Sequence, residues 1–212
     1  MNESNYIGCL VDTETTGLSP DKDEIIEIAM LLFSLNKETG EVEKVIEHHS
    51  YLREPLTDTA RANYNEAYRV HGIPYHDVKG KRFDDQIITE VFSKADILIA
   101  HNASFDRSFI YQMYPEINEK QWYCSMRNIK WKEYGFPNKR QLTLLQGHKI
   151  ATSQSHRALD DILQLMELLK RNNPNKQTYL QELLQTKAMR KYKPKKKYDL
   201  FNQGPSSNTS YF

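Results

Sequence analysis

Two carboxylates, Asp12 and Glu14, stand two residues apart in the run LVDTETTG. If that run ends a strand, both side chains leave the same face while Thr13 points to the other, so both acids can reach one cation. Without a cation, two acids on an otherwise buried strand repel each other, and burial raises the cost of their charge. A solvated strand end is the plainer explanation of the pair taken alone. A third acid, Asp106, lies in AHNASFDRSFI in the first turn of an expected helix, where the helix dipole favours negative charge with no function required. In SQSHRALDDILQLMELL, His156 is followed by Asp160 and Asp161. On a helix opened by His156 these aspartates lie about 40° and about 140° around from the histidine, both off the stripe of Leu159, Ile162, Leu163, Met166 and Leu169. Periodicity does not choose between them. Brought together, such groups could hold divalent cations and move a proton near neutral pH.

The elements that would position these residues can be read from the same sequence. Residues 6–13 and 24–34 are apolar and β-branched around the turn-forming GLSPDKD, which predicts two neighbouring strands, with a third over 43–51. Helical spacing without breakers covers 59–70 and 84–94, and ADILIAHN reads as a short buried strand. Ser104 is placed to cap a helix running to about Tyr114, and Ser155 another from His156 to about Arg171, ended by Asn172, Asn173 and Pro174. A last helix is expected within 176–190, followed by a flexible basic tail. The order predicts an α/β fold, a central mixed sheet with helices on its faces. The chain divides into a main domain over 1–175 and a C-terminal helix with basic tail over 176–212.

Composition narrows the class. Hydrophobic residues make up 39% and charged residues 27%, as in globular proteins. No apolar run approaches the roughly 20 residues a membrane helix needs, and the MNESNY start is polar, so a cytoplasmic protein with no membrane partner is expected. Cys9 and Cys124, far apart in sequence, form neither a disulfide framework nor a thiolate metal site. The net charge of +1 is uneven: residues 187–212 hold 7 Lys and Arg against one acid, leaving 22 basic and 27 acidic residues in 1–186, a net of −5. An acidic body argues against binding nucleic acid by bulk charge and for a local site.

Taken in order, Asp-x-Glu on a strand, Asp at a helix start and His-x4-Asp resemble the three motifs of the DnaQ-like, or DEDDh, 3′→5′ exonuclease superfamily, with its ribonuclease H-like fold. VDTETTGL is similar to the first motif, AHNASFD to the second and HRALDD to the third, and EIIEIA is similar as well; the match spans roughly residues 6–171. Within the superfamily, the stretch from AHNASFDRSFI through YCSMRNIKW to SHRALDD is most similar to bacterial exonuclease X and proofreading-type domains, whereas oligoribonuclease has a comparable third motif but lacks the HNxxFD form of the second. The resemblance implies Asp12, Glu14, Asp106 and Asp161 as metal ligands and His156 as general base, and so selects Asp161 over Asp160. Four carboxylates within about 5 Å repel by roughly 3 kcal/mol per pair at an effective dielectric near 20, tolerable only with cations or protons present. Oxygen ligands suit two Mg²⁺ ions, with Mn²⁺ able to substitute. Such a pair would activate water and stabilise the leaving 3′ oxygen, while a histidine, unperturbed near pKa 6.5, takes the water's proton.

Thr15 and Thr16 adjoin the first motif where a 3′-terminal nucleotide would sit, and Asn102 could orient a ligand near Asp106. His71, in VHGIP, resembles a His-Gly-Ile element of the superfamily, although an ordinary turn histidine reads equally well; His48, His49, His76 and His148 have no motif support. In KKKYDLFNQ, the residues Asp199, Leu200 and Phe201 are similar to the peptide by which bacterial replication and repair proteins dock on the sliding clamp, usually Gln-Leu-Ser/Asp-Leu-Phe, whereas Lys197 and Tyr198 depart at its two leading positions. A solvated basic tail with weak affinity for phosphates is the plainer explanation. The expected activity is metal-dependent 3′→5′ hydrolysis of nucleic acid, DNA before RNA. Trimming of short RNA or tRNA ends is the alternative, and a nonenzymatic nucleic-acid-binding subunit is disfavoured because all five catalytic positions carry competent residues.

Overall fold

Long apolar, β-branched runs build the centre of the molecule, which a computed structural model describes over residues 6–194. Strands β1 (Tyr6–Thr15), β2 (Ile25–Leu35), β3 (Val42–Leu52), β4 (Ile97–Ala100) and β5 (Gln121–Cys124) form one mixed sheet in the order β3-β2-β1-β4-β5. β1 and β3 run antiparallel to β2, while β4 and β5 run parallel to β1. All 11 residues of β2 are buried, as expected of a strand covered on both faces. β3, at the sheet edge, has no buried residue and carries charges and histidines, which discourage pairing with another chain.

The helices are α1 (Asp58–His71), α2 (Tyr75–Val78), α3 (Asp85–Lys94), α4 (Ala103–Met113), α5 (Ser125–Asn128), α6 (Gln141–Gly147), α7 (Ala158–Leu169) and α8 (Tyr179–Leu184), with a 3₁₀ turn at Pro115–Glu119. Alternation along the strands sends Leu10, Ala29, Leu31 and Phe33 to a core shared with α6, α7 and α8. Cys9, Val11, Ile28 and Met30 go to a second core under α3 and α4. A smaller cluster, Ile26, Tyr64, Ile73 and Val78, seats α1 and α2 beside the sheet. α1 has the ends its sequence encodes: Thr57 accepts from the Ala60 N–H, and Gly72, at φ 64°, closes the helix by donating to the Tyr68 carbonyl. Both cysteines are free and buried. Among the described residues no helix is long and apolar enough to cross a membrane.

Three element boundaries differ from expectation. Ser104 is not a cap: α4 begins at Ala103, after Asn102, which makes no side-chain capping bond. Nor does His156 open a helix. α7 begins at Ala158, whose N–H donates to Glu27 Oε2 at 3.1 Å, so a carboxylate from β2 replaces the local cap while Ser155 Oγ donates to Asp160 Oδ2 at 2.9 Å. The helix expected over 176–190 is only α8. Beyond it the backbone finds partners elsewhere, with Met189 N–H donating to the Trp122 carbonyl at 2.8 Å and Tyr192 N–H to Asn118 Oδ1 at 2.7 Å. Residues 195–212, which hold Asp199, Leu200 and Phe201, lie outside the described residues.

Candidate active site

Because β1 and β4 run parallel, their C-terminal ends open on the same side of the sheet, and the chain leaving β4 enters α4 within three residues. That connection lays Asp106, in the first turn of α4, against β1. Thr13 holds it there, with its N–H at 3.2 Å and its hydroxyl at 2.9 Å both donating to Asp106 Oδ1. Asp12 and Glu14 leave the opposite face from Thr13, the face that α7 covers, and α7 brings Asp161 in its own first turn. Glu14, His156 and Asp161 each offer one atom within 4.8 Å of the others. Asp12 lies near enough to feel this charge: burial and then repulsion from Asp106, Glu14 and Asp161 hold its carboxyl well above the usual carboxylate range. Glu14, Asp161 and His156 are thus close enough to share one ion, with Asp12 and Asp106 within electrostatic reach of them. The β1–β2 register shifts between Glu14 and Thr15, where Ile26 is the extra residue on β2, directly beside Glu27.

The cluster resists its own charge. Burial, followed by repulsion from Asp161, Glu27 and Asp106, pushes Glu14 up to about 9 against a partial offset from Arg157. Burial lifts Asp106 to about 7 despite the hydrogen bonds from Thr13. Asp161 is raised by burial as well, opposed by Gln154 and His156. Its Oδ2 accepts from Gln154 Nε2 at 2.8 Å, whereas Oδ1 is buried without a partner among the described residues. Hard oxygen donors that repel one another and leave one buried oxygen unpaired fit divalent cations of the Mg²⁺ or Mn²⁺ kind. Asp160 does not join them: it is exposed and bonded to Ser155.

His156 precedes α7 with a left-handed backbone, φ 51°, so its position depends on what anchors the loop. That anchor is Glu27, a residue sequence reasoning passed over. Its side chain is 1% exposed, lies directly across from Glu14 in the ladder, and accepts from Arg157 Nη2 at 2.8 Å, from Arg157 Nε at 3.2 Å and from the Ala158 N–H. The available signal was an acid in the middle of EIIEIAM, where every neighbour is apolar or at the strand start. Gln154 and Thr13, which orient Asp161 and Asp106, left no comparable mark.

Beside the carboxylates opens a cleft of about 610 Å³, lined among others by Thr15, Thr16, His71, Asn102 and Phe105, a size that suits a nucleotide-sized ligand. The threonine hydroxyls are already engaged: Thr15 Oγ1 donates to the Gly17 carbonyl at 2.6 Å, and Thr16 Oγ1 accepts from the Glu24 N–H at 3.0 Å. These two residues thus shape the wall of the cleft through the turn they hold. Asn102 is exposed on it. His71 is buried, and desolvation lowers its pKa to about 4, so the ring is neutral; Nδ1 accepts from the Ile73 N–H at 3.0 Å and Nε2 has no partner among the described residues. His101, in the second motif, joins the cluster through neither nitrogen and instead contacts Ser125 Oγ and the Lys139 carbonyl.

The sequence profile of the exonuclease family RNase_T matches residues 10–169. Among curated relatives, the DNA polymerase III PolC-type of Listeria innocua is 33% identical over 167 residues, covering 76% of this chain and 11% of the relative. That of Thermotoga maritima is 25% identical over 194 residues, covering 84% and 13%. The chain spans about a tenth of the length of these relatives. An E. coli exonuclease I bound to single-stranded DNA shares the fold, with a TM-score of 0.58 at 16% identity over 77% of this chain and 40% of that one. So does a 3′-exonuclease that recognises a histone mRNA stem-loop, with a TM-score of 0.56 at 18% identity over 77% and 62%. The sheet with its flanking helices is the ribonuclease H-like fold, and the matched family depends on divalent metal. Since the profile runs from the middle of β1 to the last residue of α7 and so takes in every acid of the cluster, this chain belongs to the exonuclease family, within the DnaQ-like superfamily.

Proposed function

We propose that this protein is a metal-dependent 3′→5′ exonuclease that hydrolyses phosphodiester bonds of DNA at single-stranded or frayed 3′ ends and releases nucleoside 5′-monophosphates, in repair or proofreading in the cytoplasm. The observation that carries this reading is the grouping of Glu14, Asp161 and His156, with Asp12 and Asp106 within reach of their charge, beside a nucleotide-sized cleft. These four carboxylates would hold two Mg²⁺ ions, or Mn²⁺ in their place, and the cations supply polarisation of the phosphate and a more acidic bound water. The chain's own residues do the rest. Thr13 and Gln154 fix the acids before any ligand arrives. A ring nitrogen of His156, held at the cluster by the Arg157–Glu27 pair, receives the proton of the attacking water. The wall formed by Thr15, Thr16, His71, Asn102 and Phe105 would take the terminal nucleotide.

DNA is preferred over RNA in this reading because the 33%-identical relative is a DNA polymerase III. An exoribonuclease is the second reading, favoured by the fold shared with the histone mRNA 3′-exonuclease. The test is to incubate the protein with 5′-labelled single-stranded DNA, duplex DNA and RNA in Mg²⁺, Mn²⁺ or chelator. A ladder shortening from the 3′ end in metal alone is expected, fastest on single-stranded DNA; an intact label in every lane, or shortening in chelator, would contradict the proposal. Docking on a bacterial sliding clamp through Asp199, Leu200 and Phe201 is a separate expectation, checked with a tail peptide whose affinity should vanish on Leu200→Ala and Phe201→Ala.

A further inference from the structure

Beside edge strand β3 lies a second groove, lined by Ser50, Tyr51, Leu52, Lys81, Arg82 and Arg157. Three of its six lining residues are cationic and none is acidic, although the body of the chain over 1–186 carries more acids than bases. Lys81 and Arg82 are exposed and make no ion pair among the described residues. Glu54, whose N–H donates to the Lys81 carbonyl, is the nearest acid in the backbone pairing, and its oxygens are taken by Tyr75 Oη and the Gly80 N–H. Two cations without an ion pair among the described residues, held at the rim of a groove, can receive a phosphate, while Asp84 acts on Tyr51 and Asp77 and Asp160 on Arg157 from its margins.

The groove adjoins the carboxylate cluster. Glu14, Glu27 and Leu52 lie in register across β1, β2 and β3, and neighbouring strands are about 4.8 Å apart, so the groove floor is about 10 Å from Glu14. Ser50 Oγ reaches Glu27 Oε1 at 3.4 Å, and Arg157, the third cation, follows His156 directly in the chain. Cations at that distance suit a phosphate displaced along the polymer from the one being cut, and sequence-independent contacts to phosphates are what position a strand without reading it.

On the exonuclease reading, we infer that Lys81 and Arg82, with Arg157 at the inner end, form a backbone-phosphate track that holds the polynucleotide outside the catalytic cleft. The phosphates come either from the cut strand itself or from its complement, and the chemistry is shared. The experiment compares the parent with Lys81→Gln/Arg82→Gln in two measurements. Fluorescence anisotropy in chelator gives the affinity for a labelled single-stranded 12-mer and for a duplex with the same 3′ end, across a salt series. Steady-state kinetics in Mg²⁺ follow the p-nitrophenyl ester of thymidine 5′-monophosphate, which has no phosphate beyond the scissile one. Affinity for at least one polymer is expected to fall by about tenfold at low salt, with the log–log salt slope shallower by about 1 for each cation lost, while ester hydrolysis is unchanged. Loss on both polymers assigns the track to the cut strand, and loss on the duplex alone assigns it to the complement. Unchanged affinity and slope for both, or an equal loss on the ester, would overturn the inference. If the parent cleaves neither polymer nor ester, the exonuclease reading fails, and the anisotropy arm still decides the groove.

Discussion

Asp12, Glu14, Asp106 and Asp161 pay for their proximity with raised proton affinities, and that cost is measurable. Glu14 near 9 and Asp106 near 7 stand above their ordinary values, so the native state keeps protons that the unfolded chain releases. The stability this contributes is complete below about pH 4 and is lost as pH rises through 7 and then 9. His71 and His101, buried and neutral with pKa near 4, act in the opposite direction, but only below about pH 6.5. Between pH 7 and 9 the metal-free protein should therefore lose melting temperature, and Mg²⁺ should restore most at the alkaline end; a scan flat across that window would contradict this. Asp12→Asn, which removes one charge from the cluster, should stabilise the metal-free protein by about 1–3 kcal/mol while abolishing hydrolysis, read by urea denaturation and oligonucleotide cleavage. His156→Ala should slow hydrolysis by about 100-fold or more with metal binding retained. Most of these residues were legible in the sequence, because a strand pair and two helix starts are local features. Spacing did not choose Asp161 over Asp160, which only the resemblance selected: the angular argument assumed His156 on the helix, and the histidine lies ahead of it.

Strand β2 and the start of α7 are joined by Glu27, which ties the catalytic loop to the sheet. Glu27→Gln weakens charge-assisted bonds to Arg157 and the Ala158 N–H and should cost about 1–3 kcal/mol of stability. With His156 less firmly placed, kcat should fall more than KM changes, and a variant that keeps parental kcat would show that the loop needs no such anchor. The strands and the longer helices could be read from alternation and period because their cores repeat those periods. The ends of α4 and α7 could not. Local serines offered caps, and the actual partners came from elsewhere: a residue 131 positions away for Ala158, and Thr13 for the Asp106 side chain. Tertiary bonds of this span leave no periodic trace, and Glu27 was visible only as a charge interrupting an apolar run.

For the molecule as a whole, the described chain beyond residue 175 is part of the packing. Tyr179 lies with its ring centroid 4.4 Å from that of Trp131 and its hydroxyl 3.0 Å from His148 Nε2, and Leu180 and Leu183 are buried in the α7 core. Tyr179→Ala should destabilise the protein by about 3–5 kcal/mol, measured by chemical denaturation, and ending the chain at residue 175 should expose that core and yield aggregated protein. The sequence marked a helix in this region, but its length followed from contacts with β5 and α4 that no local pattern encodes. The acidic body and local cations also carry over from composition to architecture, since Lys81, Arg82 and Arg157 line one groove beside the site. All of this rests on the carboxylates at the end of β1 holding divalent cations. Calorimetric titration of the chelator-treated protein with Mn²⁺ at pH 7.5, in buffers of differing ionisation enthalpy, addresses that directly. The parent should bind two ions saturably with release of protons, and Asp12→Ala should lose that binding; a parent that binds none, or an Asp12→Ala variant that binds as the parent does, would contradict the account.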